Sequence, residues 1–220
     1  LVDVVTVDGR VVSLSDGNVY LMLNKPEGCL TTMDDPYGRP TVASLVPTDR
    51  YPGLFPVGRL DQDTTGVLLF MTDGELAARL LHPSTHVDKT YHARVAGRLS
   101  PFDVKRLCEG VELDDGMTAP AEVRTLSDFE GRDVCDPSMH AGDDLVEVVL
   151  HEGRKRQVKR MLSYVGHPVF RLNRVSFGPI TAAGLPVGKW RLLNAAEVEA
   201  LRKATETGRY TGTRPGVDPR

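Results

Sequence analysis

The stretch GRLDQDTTGVLLFMTDG, residues 58–74, places a continuous apolar segment directly after a turn rich in glycine and threonine. Within it, VLLFMT (67–72) predicts a buried strand. Asp73 then stands at the N-cap position of a short helix, GELAARLL, which Pro83 ends. Asp61 therefore lies in the loop that leads into a buried strand. A carboxylate at this position either bonds the backbone amides of a turn or takes part in catalysis.

The rest of the chain contains strand and helix patterns in irregular order, without regular βαβ alternation. This order favours an α+β fold with a mixed, largely antiparallel central sheet flanked by helices. The further predicted strands are YLMLNKPEG (20–28), KTYHARVAG (89–97) and PVFRLNRVSF (168–177), and the further predicted helices begin near Ser100, Arg156 and Asn194.

The predicted helix RQVKRMLSYVG, residues 156–166, has an apolar face and a basic face. It belongs to a run from Gly153 to Arg174 that contains seven Lys and Arg residues and no acidic residue, whereas acid is concentrated in ELDD (112–115) and in residues 127–144. This distribution is typical of a basic groove that binds nucleic acid, and a solvated helix face is the alternative. The apolar face comprises Val158, Met161, Leu162 and Val165, and the basic face Arg156, Lys159 and Arg160.

Composition bounds the class of protein. The 220 residues are 40% hydrophobic, enough for one large domain or two subdomains around a cleft. We find no apolar run long enough to span a bilayer and no signal segment, so we expect a cytoplasmic protein. Three separated cysteines without CxxC spacing favour reduced thiols, and Pro83 interrupts the helix that would align His82 with His86, so we expect no metal site.

Four segments resemble, in order, the ribosomal RNA pseudouridine synthases of the RsuA/RluB type. They are YLMLNKPEGCLTT, VGRLDQDTTGVLLFMTDG, KTYHARVAG and HEGRKRQVKRMLSYVGHPVFRLNRVSFG. The resemblance implies the catalytic fold of that family, with two subdomains around a cleft, and covers most of residues 20–178. We expect the catalytic domain at 20–204, a linker from a missing upstream RNA-binding module at 1–19, and a flexible tail at 205–220.

The resemblance also implies an activity, the isomerisation of a specific uridine in ribosomal RNA to pseudouridine without cofactor or metal. Asp61 would act on the ribose, either as a nucleophile at the anomeric carbon or as a base that removes the 2′ proton. Tyr91 would stack on the uracil. Lys159, with Arg160 as its nearest competitor, would keep Asp61 ionised.

The remaining basic residues are expected to bind RNA in a monomeric enzyme. Arg59 would fill the space left when the target base leaves its stack, or contact a neighbouring base. Arg154, Lys155 and Arg156, near the start of the basic helix, would contact phosphates, as would Arg160. Two other functions stay open, a hydrolase of nucleosides or sugars that uses Asp61 with Asp63, and a non-catalytic module for RNA binding or ribosome assembly.

Overall fold

A computed structural model of the chain describes residues 5–7, 10–12, 17–135, 140 and 142–206. Its helices are α1 (Gly74–Leu81), α2 (Pro101–Glu109), α3 (Gln157–Tyr164) and α4 (Ala195–Glu206). Its strands are β1 (Val5–Val7), β2 (Arg10–Val12), β3 (Tyr20–Lys25), β4 (Phe55–Val57), β5 (Thr64–Met71), β6 (Lys89–Val95), β7 (Glu112–Leu113), β8 (Gly116–Met117), β9 (Glu122–Thr125), β10 (Asp144–Leu150), β11 (Val169–Phe177), β12 (Ile180–Thr181) and β13 (Trp190–Leu192).

Part of the segment quoted first forms β5, an inner strand of the main sheet. All of its residues except Thr65 are buried, which explains why its sequence is continuously apolar rather than alternating. One edge of β5 pairs with β3 in antiparallel orientation. The other edge is shared, since β11 pairs with its first three residues and β4 with its last three.

The main sheet has the strand order β13-β3-β5-β11-β6-β10-β9, with β4 added to β5 and β12 to β11. Only the β5–β11 pair in it is parallel. The predicted mixed, largely antiparallel α+β fold is thus confirmed. The parallel pair joins the half of the sheet built from β3 and β5 to the half built from β6 and β10.

Gly66 is required where β5 meets β11. Its φ is +106°, and a Cβ at this position would lie 2.2 Å from the carbonyl oxygen of Arg174 and 2.4 Å from Oδ1 of Asn173. A side chain would therefore push the two strands apart, because atoms that are not bonded cannot approach so closely. This close approach holds the loop before β5 against β11.

The hydrophobic core is divided between the two halves of the sheet. In the β3–β5 half, alternate residues face opposite sides, so that Leu69 and Met71 pack with α1 and α4, while Leu68 and Phe70 pack beneath the loop after β3. In the other half, β6 and β10 pack with α2 and α3, where Met161 is buried. Each half therefore has its own core, and the sheet runs continuously through both.

The predicted helix starts are confirmed by their caps. The Asp73 carboxylate accepts a hydrogen bond from the Leu76 amide (2.9 Å) at the start of α1. Ser100 and Asp103 form a capping box at α2. Asn194 Oδ1 accepts from the Glu197 amide (2.9 Å) at α4. These bonds satisfy amides that the helices leave without a partner.

The predicted apolar face of α3 is confirmed. Val158, Met161 and Leu162 are buried, and Val165, directly after the helix, is partly buried. Gly166 then adopts a positive φ of 92°, as expected for a glycine after a helix end.

The boundary of the predicted C-terminal tail was wrong by two residues. α4 continues through Thr205 and Glu206, because Leu201 and Ala204 are buried against the core and Arg202 bonds Asp73 (3.0 Å). The rest of that tail, residues 207–220, lies outside the described residues. In the part of the chain that the structure describes, no helix has the length and apolarity needed to cross a membrane.

Candidate active site

Asp61 lies in the loop between β4 and β5, and its backbone, not its carboxylate, holds the turn. The Asp61 carbonyl oxygen accepts hydrogen bonds from the Thr64 amide (3.1 Å) and from Lys25 Nζ (3.1 Å). The carboxylate has no hydrogen bond or ion pair with any residue that the structure describes. The turn therefore leaves the Asp61 carboxylate available for chemistry.

Lys25, at the end of β3, holds the loop between β4 and β5 through its buried side chain. Its side chain is fully buried, and Nζ donates to the carbonyl oxygens of Pro26 (3.0 Å), Asp61 (3.1 Å), Gln62 (3.4 Å) and Thr64 (3.0 Å). Burial lowers the pKa of Lys25, and nearby acidic groups offset only part of that effect. The sequence analysis missed this residue, although a lysine that ends an apolar strand was a visible signal.

A cavity of about 590 Å³ opens beside Asp61. Its rim carries exposed basic side chains, and its deeper wall is formed by strands of both halves of the sheet. We call the buried strand residues of that wall the cavity floor; they are Thr64 of β5, Lys89 of β6, Leu150 of β10, and Leu172, Arg174 and Phe177 of β11. Asp61 also lines a smaller adjoining recess together with Asp63 and Arg156.

Tyr91 lines the same cavity as Asp61. It lies on β6, is partly buried, and packs against the cores of both halves of the sheet. An aromatic ring that is fixed on one side and open to a cavity on the other can stack on a flat ligand. The structure thus brings together the two residues that the motifs predict for the chemistry.

Lys159 does not pair with Asp61, so the predicted partner was wrong. Its Nζ lies 2.5 Å from Oδ1 of Asp63, and Lys159 does not line the cavity. Burial raises the pKa of Asp63, but the ammonium of Lys159 outweighs that effect and the net pKa is lowered. Asp63 is the nearer partner because it lies in the exposed turn that α3 faces, whereas Asp61 lies in the cavity wall.

Arg160 does not pair with Asp61 either. Its guanidinium binds the turn between β7 and β8, with Nη1 2.9 Å from Asp115 Oδ2, Nη2 2.7 Å from Asp115 Oδ1, and a further contact to Asp114. The bond to Arg160 lowers the pKa of Asp115 to about 2. The acidic segment ELDD, predicted to be separate from the basic helix, therefore neutralises part of it.

Arg154 is bound by the same turn. Its guanidinium donates to the carbonyl oxygens of Gly116 (2.9 Å) and Met117 (2.5 Å) and lies 3.3 Å from Asp115. Arg154 lines the cavity, but most of its donors are already used. Arg154 and Arg160 are thus both held by the β7–β8 turn, and their predicted contact with RNA stays a prediction.

Three predicted RNA-binding residues remain exposed at the cavity rim. Arg59, Lys155 and Arg156 line the cavity, and their side chains form no ion pair or hydrogen bond with the residues that the structure describes. Arg156 has a positive φ of 52° directly before α3, a conformation that is rare for residues other than glycine. Among the described residues of the rim, unpaired positive charge is therefore limited to these three side chains, whereas the sequence run from Gly153 to Arg174 contains seven Lys and Arg residues.

Lys89 and Arg174 are buried cations of the cavity floor that the sequence analysis did not assign. Lys89 Nζ donates to the Val87 carbonyl oxygen (2.9 Å), and Arg174 Nε donates to the Val67 carbonyl oxygen (2.8 Å). Burial, and then the charge of Arg174, lower the pKa of Lys89 to about 8. The signal for both was a charged residue inside a strand of the predicted sheet.

The hydrolase that uses Asp61 with Asp63 has less support from this geometry. Asp63 is ion-paired and does not line the cavity that contains Tyr91, so the two carboxylates do not face each other across it. Within the described residues, no group of three or more His, Cys, Asp or Glu side chains is placed to hold a metal ion.

Comparison with known proteins identifies the fold and the family. A sequence model for RNA pseudouridylate synthases matches residues 19–164. The chain is 42% identical over 204 residues to an uncharacterized RNA pseudouridine synthase of Aquifex aeolicus, covering 92% of this chain and 77% of the relative. It is 38% identical over 219 residues to ribosomal large subunit pseudouridine synthase B of Escherichia coli K12, covering 97% and 72%.

A solved structure agrees with these sequence matches. A crystal structure of a pseudouridylate synthase superimposes with a TM-score of 0.72 at 30% identity, covering 87% of this chain and 76% of the other. The chain therefore belongs to the RNA pseudouridylate synthase family, whose members are isomerases, and the resemblance of its four motifs is confirmed.

Proposed function

We propose that this chain converts a uridine of large-subunit ribosomal RNA to pseudouridine, with Asp61 as the group that acts on the ribose. The observation that carries the proposal is a carboxylate that has no partner among the described residues and lies in the same cavity as a partly buried tyrosine. The RNA class is supported by the names of relatives in Escherichia coli and Yersinia pestis, both called ribosomal large subunit pseudouridine synthase B.

The reaction exchanges one bond for another within the same nucleotide. The bond from N1 of uracil to C1′ breaks, the uracil turns, and C5 bonds to C1′. The proton on C5 is lost to solvent and N1 takes up a proton, so nothing else leaves. Asp61 would either bond to C1′ or remove the 2′ proton, and both routes need an ionised carboxylate near the sugar.

The protein positions the reacting groups. Lys25 fixes the Asp61 loop, and the Tyr91 ring would hold the uracil while it turns. The exposed rim, with Arg59, Lys155 and Arg156, would bind the RNA strand from which the base is extruded, since extruded bases are held by stacking and the backbone by cations.

The test uses large-subunit ribosomal RNA labelled with tritium at C5 of uracil. A pseudouridine synthase releases tritium without free uracil, a hydrolase releases the base, and a binding module releases neither. Asp61→Asn keeps size and shape but cannot act as nucleophile or base, so we expect at least about four decades less turnover, about 5.4 kcal/mol.

The matched control is Asp63→Asn, two residues away and ion-paired with Lys159. We expect it to lose far less activity, because its carboxylate is outside the cavity. Substantial turnover by Asp61→Asn, with an unchanged melting curve, would contradict the proposed role of Asp61.

A further inference from the structure

The cavity floor carries two cations that form no ion pair with a carboxylate of the described residues. Lys89 is 8% exposed and Arg174 is 2% exposed, and among the residues described neither has a carboxylate oxygen within 4 Å. Asp88 and Glu152 act on Lys89 only at longer range. Buried cations without a counter-ion are costly unless negative charge enters the site.

Two buried polar atoms of the same floor have no hydrogen-bond partner in the part of the chain that the structure describes. They are Nη2 of Arg174 and Oγ1 of Thr64. Buried donors and acceptors are rarely left unsatisfied, and an exception at a cavity marks an atom that can bond a water, an ion or a ligand there. Both residues line the cavity that contains Asp61.

The strand register puts these groups on one face of the sheet. Arg174 on β11 is opposite Tyr91 on β6 and opposite Gly66 on β5. Lys89 precedes Tyr91 by two residues, and Thr64 precedes Gly66 by two, so their side chains project to the same side. The floor thus presents two cationic donors and one hydroxyl beside the tyrosine ring.

We propose that Arg174 and Lys89 donate to the two carbonyl oxygens of the target uracil and that Thr64 accepts from its N3–H. This inference rests on the proposed function, since it assigns the base-recognition part of the same site. Uracil matches the floor because its edge presents an acceptor, a donor and an acceptor. Cytosine has an amino group in place of O4, and that donor would face a cation.

The same contacts would assist the reaction. When the N1–C1′ bond breaks, its electron pair stays on the uracil, and the negative charge spreads over N1 and both carbonyl oxygens. Donors that are fixed where charge develops stabilise that state more than the ground state. The pKa of Lys89, held at about 8 by burial and by Arg174, would rise when this anion lies between them, so that the ammonium form is favoured.

Two simpler roles for Arg174 make a different prediction. Arg174 could act only through the hydrogen bond from Nε to Val67, or only by supporting Asp61 electrostatically. Either role would lower turnover by the same factor on every uracil derivative. A direct contact with one oxygen would instead be lost selectively.

The experiment uses large-subunit ribosomal RNA transcribed with uridine, 2-thiouridine or 4-thiouridine, and measures the isomerised nucleoside by chromatography after digestion. Sulfur accepts hydrogen bonds weakly, so each thio RNA removes one of the proposed contacts. We expect Arg174→Met to lose about 10²-fold on uridine RNA, as for removal of one donor from an oxyanion site. On the thio RNA that lacks its oxygen, we expect less than about a fivefold loss, because the two changes are not additive.

Lys89→Met should likewise lose turnover on uridine RNA, and should lose much less on the thio RNA that lacks the other oxygen. Arg94→Met is the matched control, since Arg94 is a buried arginine (5% exposed) on the opposite face of β6 and does not line the cavity. Any loss in this control should be equal on all three RNAs. Every variant receives the same three RNAs, so any effect of a thio base on the folding of the RNA is the same for all variants and cancels when their losses are compared.

Equal losses by Arg174→Met and Lys89→Met on all three RNAs, or no loss by either, would overturn the inference. If the melting curve shows that Arg174→Met does not fold, two other variants decide the question. They are Arg174→Lys, which retains the charge, and Lys89→Met, and each is judged by the ratio of its loss on uridine RNA to its loss on each thio RNA. A wild-type enzyme that isomerises no RNA would refute the proposed function and this inference with it. Normal wild-type turnover without selectivity would refute the inference alone.

Discussion

Replacing Lys25 by methionine tests whether one buried ammonium holds the loop that carries Asp61. Methionine has a similar length and no charge, so it leaves the carbonyl oxygens of Pro26, Asp61 and Thr64 without the donor that lies 3.0 to 3.1 Å away. Each carbonyl that loses this bond costs about 1–3 kcal/mol, and the cost is at the low end for Asp61, whose carbonyl keeps the bond from the Thr64 amide. The desolvation cost of the lysine itself disappears at the same time. Taking the lower limit for three carbonyls, we expect the free energy of unfolding to fall by about 3 kcal/mol.

Activity should fall as well, for a geometric reason. If the loop relaxes by about 1 Å, the Asp61 carboxylate moves away from the sugar, and such a displacement can cost about 10²-fold in rate. Urea denaturation gives the free energy of unfolding, and tritium release from ribosomal RNA gives the rate. The rate is measured well below the melting temperature of the variant, so that unfolded protein does not contribute.

The matched control is Lys105→Met on α2. Lys105 is exposed and pairs only with Glu109 on the next turn, so its loss should change stability by less than about 0.5 kcal/mol. A Lys25→Met enzyme that is within about 1 kcal/mol of wild type and fully active would show that Lys25 does not hold the loop.

Three further predictions concern Tyr91, the rim and a histidine on the other face of the sheet. Tyr91→Phe should keep the stacking energy, about 1–3 kcal/mol per base; RNA affinity should be unchanged, and near-normal tritium release would exclude an essential role for the hydroxyl. Replacing Lys155 and Arg156 together by alanine should lower the slope of log affinity against log salt by about 1.4 to 1.8, whereas Arg160→Ala, whose charge is already paired, should change the slope less. Burial lowers the pKa of His92, but Asp133 and Glu147 outweigh it and raise the pKa to about 9. Because the folded-state pKa is above the unfolded value of about 6.5, His92 stabilises the fold below pH 6.5 and loses this effect as pH rises through 9. The difference in the free energy of unfolding between wild type and His92→Gln should therefore shrink by about 1.4 kcal/mol per pH unit in that interval. A constant difference from pH 6 to pH 9.5 would contradict this.

Much of the fold could be predicted because its signals are local. The apolar run of β5 and the caps at Asp73, Ser100 and Asn194 each involve residues within a few positions of one another. The spacing of apolar residues in α3 likewise predicts which face is buried. Asp61 and Tyr91 could be singled out because they stand within motifs, and the sheet brings them to one cavity.

Partners of charged residues could not be predicted in this way. A basic helix face shows which side of α3 is polar, but not that Arg160 reaches Asp114 and Asp115, which precede it by about 45 positions. The pairing of Lys159 with Asp63 rather than Asp61 could not be predicted either, because it depends on how the turn before β5 and the helix α3 are placed in space. Ion pairs across long sequence separations follow from the fold and leave no periodic signal.

The parallel contact between β5 and β11 has a consequence for how the enzyme is made. Thr64 pairs with Leu172, more than a hundred residues later in the chain. At about 5–20 residues per second on a translating ribosome, roughly 6 to 24 s separate the synthesis of Gly58, at the start of the cavity wall, from that of Phe177. During this time only residues 64–68 of β5 lack a partner strand at this edge, since β4 covers 69–71, and a short open edge limits pairing with a wrong strand. A nascent chain that stops before residue 169 contains Asp61 and Tyr91 but lacks Leu172, Arg174 and Phe177, so it can bury part of its core and yet lacks the part of the cavity floor that β11 supplies.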